Sequence, residues 1–174
     1  MKIGNYEFEL RSFNYLASLS KETYCFGAVL YVNGKKFADC GNSGKGGPTD
    51  VHILPQCEAL GTEVEAFLRT QPKIKYGDDG FELDCDLEYI VNELVEEVLN
   101  KRERQKLMAK TKTNLLFQGS DGGYYQIKWK ITITEVLKTA WGPKAIRTAI
   151  AKEIEKGSVL LNENIPADLL PEAK

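Results

Sequence analysis

The sequence has no apolar run approaching the length of a membrane span, and its opening, MKIGNYEFELRS, lacks the apolar stretch of a secretory signal; a cytoplasmic protein with no membrane partner is expected. Cysteine is sparse and irregular. Cys25, Cys40, Cys57 and Cys85 never fall at C-x-x-C spacing, so they read first as small buried hydrophobes that a reducing compartment keeps as thiols. An excess of one charge is also missing: 23 Lys and Arg against 25 Asp and Glu leave a net charge of -2, which does not favour nucleic acid as a partner. The one basic concentration, Lys101, Arg102, Arg104, Lys106, Lys110 and Lys112, reads as the solvated end of a helix. Internal repeats and low-complexity linkers are absent, and 174 residues suffice for one core, so a single domain over 1-174 is expected, with 167-174 frayed.

What is present reads as α+β. Tyr6, Phe8 and Leu10 alternate with polar residues, and Phe13 and Tyr15 resume the pattern beyond a bulge near Ser12. In CFGAVLYVNGKKFADCG, Asn33-Gly34 between two alternating runs predicts a two-residue hairpin turn. That turn sets Val32 opposite Lys35, Leu30 opposite Phe37 and Ala28 opposite Asp39. Phe26, Ala28, Leu30, Val32 and Phe37 would then share the core face, with Ala38 and Cys40 on the other.

Helical spacing follows in 55-72, and most strongly from about Asp86 to Met108. There Leu87, Ile90, Val91, Leu94, Val98 and Leu99 form a stripe while Glu88, Glu93, Glu96, Glu97 and Arg102 face away. The segment KIKYGDDG between these helices reads as a loop with Asp79-Gly80 as turn punctuation. TNLLFQGSDGGYYQIKWK predicts a second hairpin, a shorter helix carries Val136, Leu137 and Trp141, and Pro143 opens another that Gly157 ends. The expected architecture is one α+β domain with an antiparallel sheet of about five strands, including both hairpins, packed with three to four helices.

The stretch GNSGKGGPTDVHILP holds the candidate chemistry. It fails the Walker A template, because Gly46 follows Lys45 where Ser or Thr is required and Asp39 stands in place of the first glycine. No helix begins directly after the glycines either, because TDVHILP intervenes. What remains is a loop whose backbone N-H groups could approach an anion, with Asn42, Gly44, Lys45, Gly46, Gly47 and Thr49 as candidate ligand-binding residues. The structural alternative is that the glycines supply positive φ where the hairpin leaves the sheet.

His52 and Asp50 are candidate catalytic residues as an acid-base pair, although no local catalytic signature surrounds them. Cys25, Cys40, His52 and Cys57 lack zinc-site spacing, and Asp78, Asp79, Asp84 and Asp86 lack calcium-loop spacing, so no metal and no cofactor is expected. Asp78, Asp79, Asp84 and Asp86 read instead as a polar strand edge or a helix N-terminus. Tyr124, Tyr125, Trp129 and Trp141, with Lys128 and Lys130, could stack on bases or could be strand packing.

Three segments, CFGAVLYVNGKKFADCGNSGKGGPT, FELDCDLEYIVNELV and YYQIKWK with LLNENIP, together resemble an uncharacterised family of bacteriophage, prophage and bacterial proteins. That family is marked by N-x-G-x-G-G-x-T and a late L-N-x-N-I-P. The first pattern maps to Asn42, Gly44, Gly46, Gly47 and Thr49, and the second to Leu161, Asn162, Asn164, Ile165 and Pro166. Many relatives have His where this chain has Lys45. The resemblance implies a phage or mobile-element setting and no particular activity.

The residues thus suggest a small non-enzymatic binding protein, its ligand a nucleotide-like anion at the Gly-rich loop or a host protein. One alternative is a nucleotide- or nucleic-acid-processing enzyme using His52 and Asp50. Another is an interaction module that engages a host protein through a sheet edge or the tail NENIPADLL. His52→Ala separates the first two: a binder keeps its ligand affinity in a titration, whereas an enzyme loses most of its turnover.

Overall fold

In the computed structural model, which describes residues 1-76 and 80-171, Asn33 and Gly34 both adopt positive φ (49° and 76°), the two-residue turn expected of this pair. The turn joins strands β3 (Cys25–Val32) and β4 (Lys35–Ser43). With β1 (Lys2–Ile3), β2 (Tyr6–Tyr15) and β5 (Asp50–Ile53) they form a five-stranded antiparallel sheet in chain order. The bulge expected in β2 lies between Arg11 and Asn14, with Ser12 at a φ of 52°.

The register of the first hairpin departs from the expected one after two pairs. Val32 pairs with Lys35 and Tyr31 with Lys36, but Leu30 then pairs with Ala38 and Ala28 with Cys40, leaving Phe37 as an extra residue. The physical reason is burial. A bulge lets consecutive residues Phe37 and Ala38 both reach the core, where each is fully buried. It also inverts the alternation downstream, so that Cys40 and Asn42, opposite Ala28 and Phe26, lie on the core face and are buried.

Helices α1 (Glu58–Leu68) and α2 (Leu87–Lys110) supply Val64 and Leu68, and Leu87, Ile90, Val91, Leu94 and Val95, to the core beneath this sheet. Asp86 caps α2 by accepting the Tyr89 N-H at 2.8 Å, as its position suggests. The segment read as a loop before α2 is a small hairpin of β6 (Ile74–Tyr76) and β7 (Phe81–Leu83), paired through Ile74 with Leu83. Asp78 and Asp79, and with Asp79 the expected Asp79-Gly80 turn, lie outside the described residues. TDVHILP, read as a connection, contains β5. There Val51 and Ile53 turn to the core while Asp50 and His52 face outward.

The chain divides into two compact units, 1-99 and 100-174. In the second, the predicted hairpin is β8 (Asn114–Gln118) and β9 (Tyr124–Lys128). It does not join the five-stranded sheet but forms its own, ordered β10-β8-β9, with β10 spanning Val159–Leu160. Thr132 and Glu135 form a reciprocal capping box on α3 (Ile133–Leu137), and Pro143 sits in the first turn of α4 (Gly142–Glu155). Trp141 is not within the shorter helix but immediately precedes α4. Leu115, Phe117, Ile133, Val136, Ile146 and Ile150 are fully buried together, and Ile165 and Leu169 of the tail join them. Within the segment expected to fray, Ala167–Leu169 is a 3-10 turn; 172-174 lie outside the described residues. No helix among the described residues is long and apolar enough to cross a membrane.

The late L-N-x-N-I-P pattern has a structural explanation. Asn162 Oδ1 accepts the Leu116 N-H at 2.7 Å, and its Nδ2 donates to the Asn114 carbonyl at 3.0 Å and to Asn164 Oδ1 at 2.9 Å. Asn164 Nδ2 donates in turn to the Thr111 carbonyl at 3.0 Å. Two side-chain amides thereby tie the tail to the backbone entering β8. Asn162→Ala leaves the Leu116 N-H and the Asn114 carbonyl without these partners, and is expected to destabilise the fold by about 2–3 kcal/mol, read from urea unfolding.

Candidate functional site

The bulge at Phe37 turns Asn42 inward, and Asn42 organises the Gly-rich loop. Its Oδ1 accepts from the Thr23 hydroxyl and the Gly44 N-H, both at 2.8 Å. Its Nδ2 donates to the Gly47 carbonyl at 2.9 Å and to Thr49 Oγ1 at 3.2 Å. All four hydrogen-bonding positions of the amide are thus satisfied in a buried setting, the arrangement that makes a polar core group stabilising. Thr49, also buried, passes the network to α2: its hydroxyl donates to Asn92 Oδ1 at 2.7 Å and its N-H to Glu88 Oε1 at 2.8 Å.

Two of the loop's N-H groups already have partners within the protein. The Gly44 N-H is bonded to Asn42, and the Gly46 N-H donates to Thr23 Oγ1 at 3.3 Å, so neither is turned out toward a ligand. Lys45 is exposed and stands outside the wall of the adjacent cavity, whereas Asn42, Gly47 and Thr49 belong to that wall. Gly44 has a φ of 78°, and a Cβ on it would come within 2.5 Å of the Leu19 carbonyl and 2.7 Å of Cys25 Cβ. Here the conformational reading of the glycine holds.

The cavity encloses about 600 Å³, within the range of small-molecule sites. Tyr15, Tyr24 and Phe26 line it, and Tyr15 meets Tyr24 edge to face at 6.0 Å. The Thr23, Asn42, Thr49 and Asn92 network also lines it, as do Glu22, Glu88, Glu93 and Glu96, with Lys21 as the one lining cation. Four lining carboxylates thus face a single lining cation. Sequence reasoning treated Glu88, Glu93 and Glu96 as the solvent side of a helix and SLSKET as turn residues. The only available signal was their recurrence at three- to five-residue steps on one helix face, which does not reveal what the face meets.

Asp50 and His52 occupy the same outer face of β5, both exposed, with His52 opposite Asp39. No hydrogen bond joins them among the described residues, and neither lines the cavity. Cys57 donates its thiol to the Lys36 carbonyl at 3.4 Å, and burial pushes the Cys40 pKa up to about 12, which holds it as a thiol rather than a thiolate ligand or nucleophile. Among the described residues no group of three or more His, Cys, Asp and Glu is placed to hold a metal ion. No family model, curated protein or solved structure matches the chain.

The loop glycines are therefore expected to differ sharply. Gly44→Ala must move backbone and is expected to cost about 2–4 kcal/mol. Gly47→Ala, where a Cβ meets nothing within 4 Å, is expected to stay within about 0.5 kcal/mol of the parent in thermal or urea unfolding.

Proposed function

We propose that the protein is a non-enzymatic binding protein whose site is the cavity beside the Gly-rich loop, and that its ligand is a small organic cation bearing an ammonium or guanidinium group on an apolar body. The observation that carries this reading is the charge of the cavity wall: Glu22, Glu88, Glu93 and Glu96 against the single cation Lys21, beside Tyr15, Tyr24 and Phe26. Carboxylates lining a concave, partly apolar surface raise the local negative potential, which favours a cationic ligand. Aromatic faces add cation-π attraction of about 0.5–2 kcal/mol. A nucleotide-like anion meets the same four carboxylates with only Lys21 to offset them, so the cavity's charge favours the opposite sign of ligand from the one the loop alone suggested. Binding rather than catalysis is supported by the outward placement of Asp50 and His52, away from the cavity.

The test is thermal unfolding and calorimetry against two panels, one of amines and guanidines such as arginine, choline and spermidine, and one of nucleotides. A cationic ligand at a hundred times its Kd is expected to raise Tm by about 5–10 °C. Glu93→Gln with Glu96→Gln, which break no hydrogen bond described above, are expected to weaken binding at least about tenfold. Stabilisation by nucleotides alone, or by neither panel, would sink the reading.

A further inference from the structure

The division into two units changes what the net charge means. Residues 1-99 carry 9 Lys and Arg against 17 Asp and Glu, whereas residues 100-174 carry 14 against 8. Within the second unit the excess is concentrated: residues 100-112 carry 6 against 1, and residues 113-174 are nearly balanced at 8 against 7. The near-neutral balance that argued against a polyanionic partner therefore does not describe the segment from Asn100 to Lys112. That segment is the C-terminal part of α2 and the turn that follows it.

Solvation of a helix end does not account for these cations. The helix dipole acts within the last turn, where Lys110 is the one basic residue, whereas Lys101, Arg102, Arg104 and Lys106 stand upstream of it. Arg102, Lys106 and Lys110 follow one another at i, i+4 spacing, an alignment of like charges that costs helix stability. Among the described residues, none of Lys101, Lys106 and Lys110 forms an ion pair that would offset it. The orientation of this helical segment is set by its other side, where Glu103, Arg104, Leu107 and Met108 line a cavity together with Leu116 of β8 and Leu161. At about 3.6 residues per turn, the opposite half of the helix surface holds Lys101, Arg102, Gln105, Lys106, Ala109 and Lys110, all exposed and none acidic.

We propose that this outward face binds double-stranded nucleic acid through its phosphate backbone, without regard to base sequence, with Lys101, Lys106 and Lys110 as the phosphate contacts. A phosphate backbone supplies the counter-charge that these lysines lack, and the counterions it releases drive the association. The helical rise sets Lys101 and Lys110 roughly 14 Å apart along the axis, comparable with the major-groove width of about 12 Å, so the two ends can meet phosphates of opposite strands. No aromatic residue occurs between Asn100 and Lys112, so this face offers nothing on which an unpaired base could stack. The duplex, with its denser charge, is therefore favoured over the single strand. The face also lacks the apolar strip with which a helix enters a lipid headgroup layer, Ala109 being its one apolar residue, and this sets membranes aside.

The experiment titrates the full chain into fluorescently labelled DNA duplexes of about 20 base pairs, in two unrelated sequences, and into a single strand of equal length, read by anisotropy at several salt concentrations. Expected are equal affinities for the two duplexes, weaker binding of the single strand, and log K falling against log salt with a slope of roughly -3. Lys106→Gln with Lys110→Gln should flatten that slope by about 1.8. Lys128→Gln with Lys130→Gln, at the end of β9 and beyond it, should leave the slope unchanged. Because the first pair removes like charges from one helix face, helix content by circular dichroism and Tm should hold or rise, which separates a lost contact from a lost fold. No duplex binding at about 20 mM salt, an undiminished slope after Lys106→Gln with Lys110→Gln, an equal loss after Lys128→Gln with Lys130→Gln, or tighter binding of the single strand would overturn the proposal. So would absent binding with the mass doubling at low salt, which would mean that the basic face meets the acidic unit of a second copy.

Discussion

The carboxamide of Asn42 is the interaction on which the Gly-rich loop and the cavity wall of the first unit depend. Two donors and two acceptors converge on it, from Thr23 before β3 and from Gly44, Gly47 and Thr49 beyond β4, and Thr49 extends the network to Asn92 and Glu88 on α2. A buried amide with every bond satisfied is both stabilising and geometrically exacting. Loop, strand end and helix must hold one arrangement for all of those bonds to form together. The cavity wall is therefore ordered by the same bonds that shape the loop.

That network exists because of an apolar residue five positions earlier. Phe37 and Ala38 are both driven into the core, the strand accommodates them with a bulge, and the alternation beyond it inverts. Without the inversion, Asn42 would face outward and the side chains of Asp39 and Ser43 would face the core. The polar site is thus a consequence of hydrophobic packing in the neighbouring hairpin, and a change at Phe37 acts on the loop through register rather than through contact.

Much of the architecture could be read from local pattern. The Asn33-Gly34 turn, the Ser12 bulge, the helix capped by Asp86, the second hairpin and the helix opened by Pro143 each carry their signal within a few residues, because turn chemistry and amphipathic period are local properties. The strand holding Asp50 and His52 was missed because four alternating residues, bounded by prolines, are too few to separate from a loop. The Gly-rich loop was correctly located as a feature, and its glycines were partly explained. Its charge environment was invisible, since Glu88, Glu93 and Glu96 lie more than forty residues from Asn42 and read equally well as a solvated helix face.

By itself, the sequence determined the α+β class, the antiparallel pairing of its two main hairpins, the turn at Asn33-Gly34 and most of the helical stripes, all of which follow from periodicity and backbone preference. Only the tertiary structure decided the hairpin register past Tyr31, the inward direction of Asn42, the meeting of the loop with an acidic helix face, and the separation of the chain into an acidic and a basic unit. The physical reason is common to all four. Each is the outcome of competition among groups distant in sequence for burial and hydrogen bonds, and such competition is settled only when the core closes.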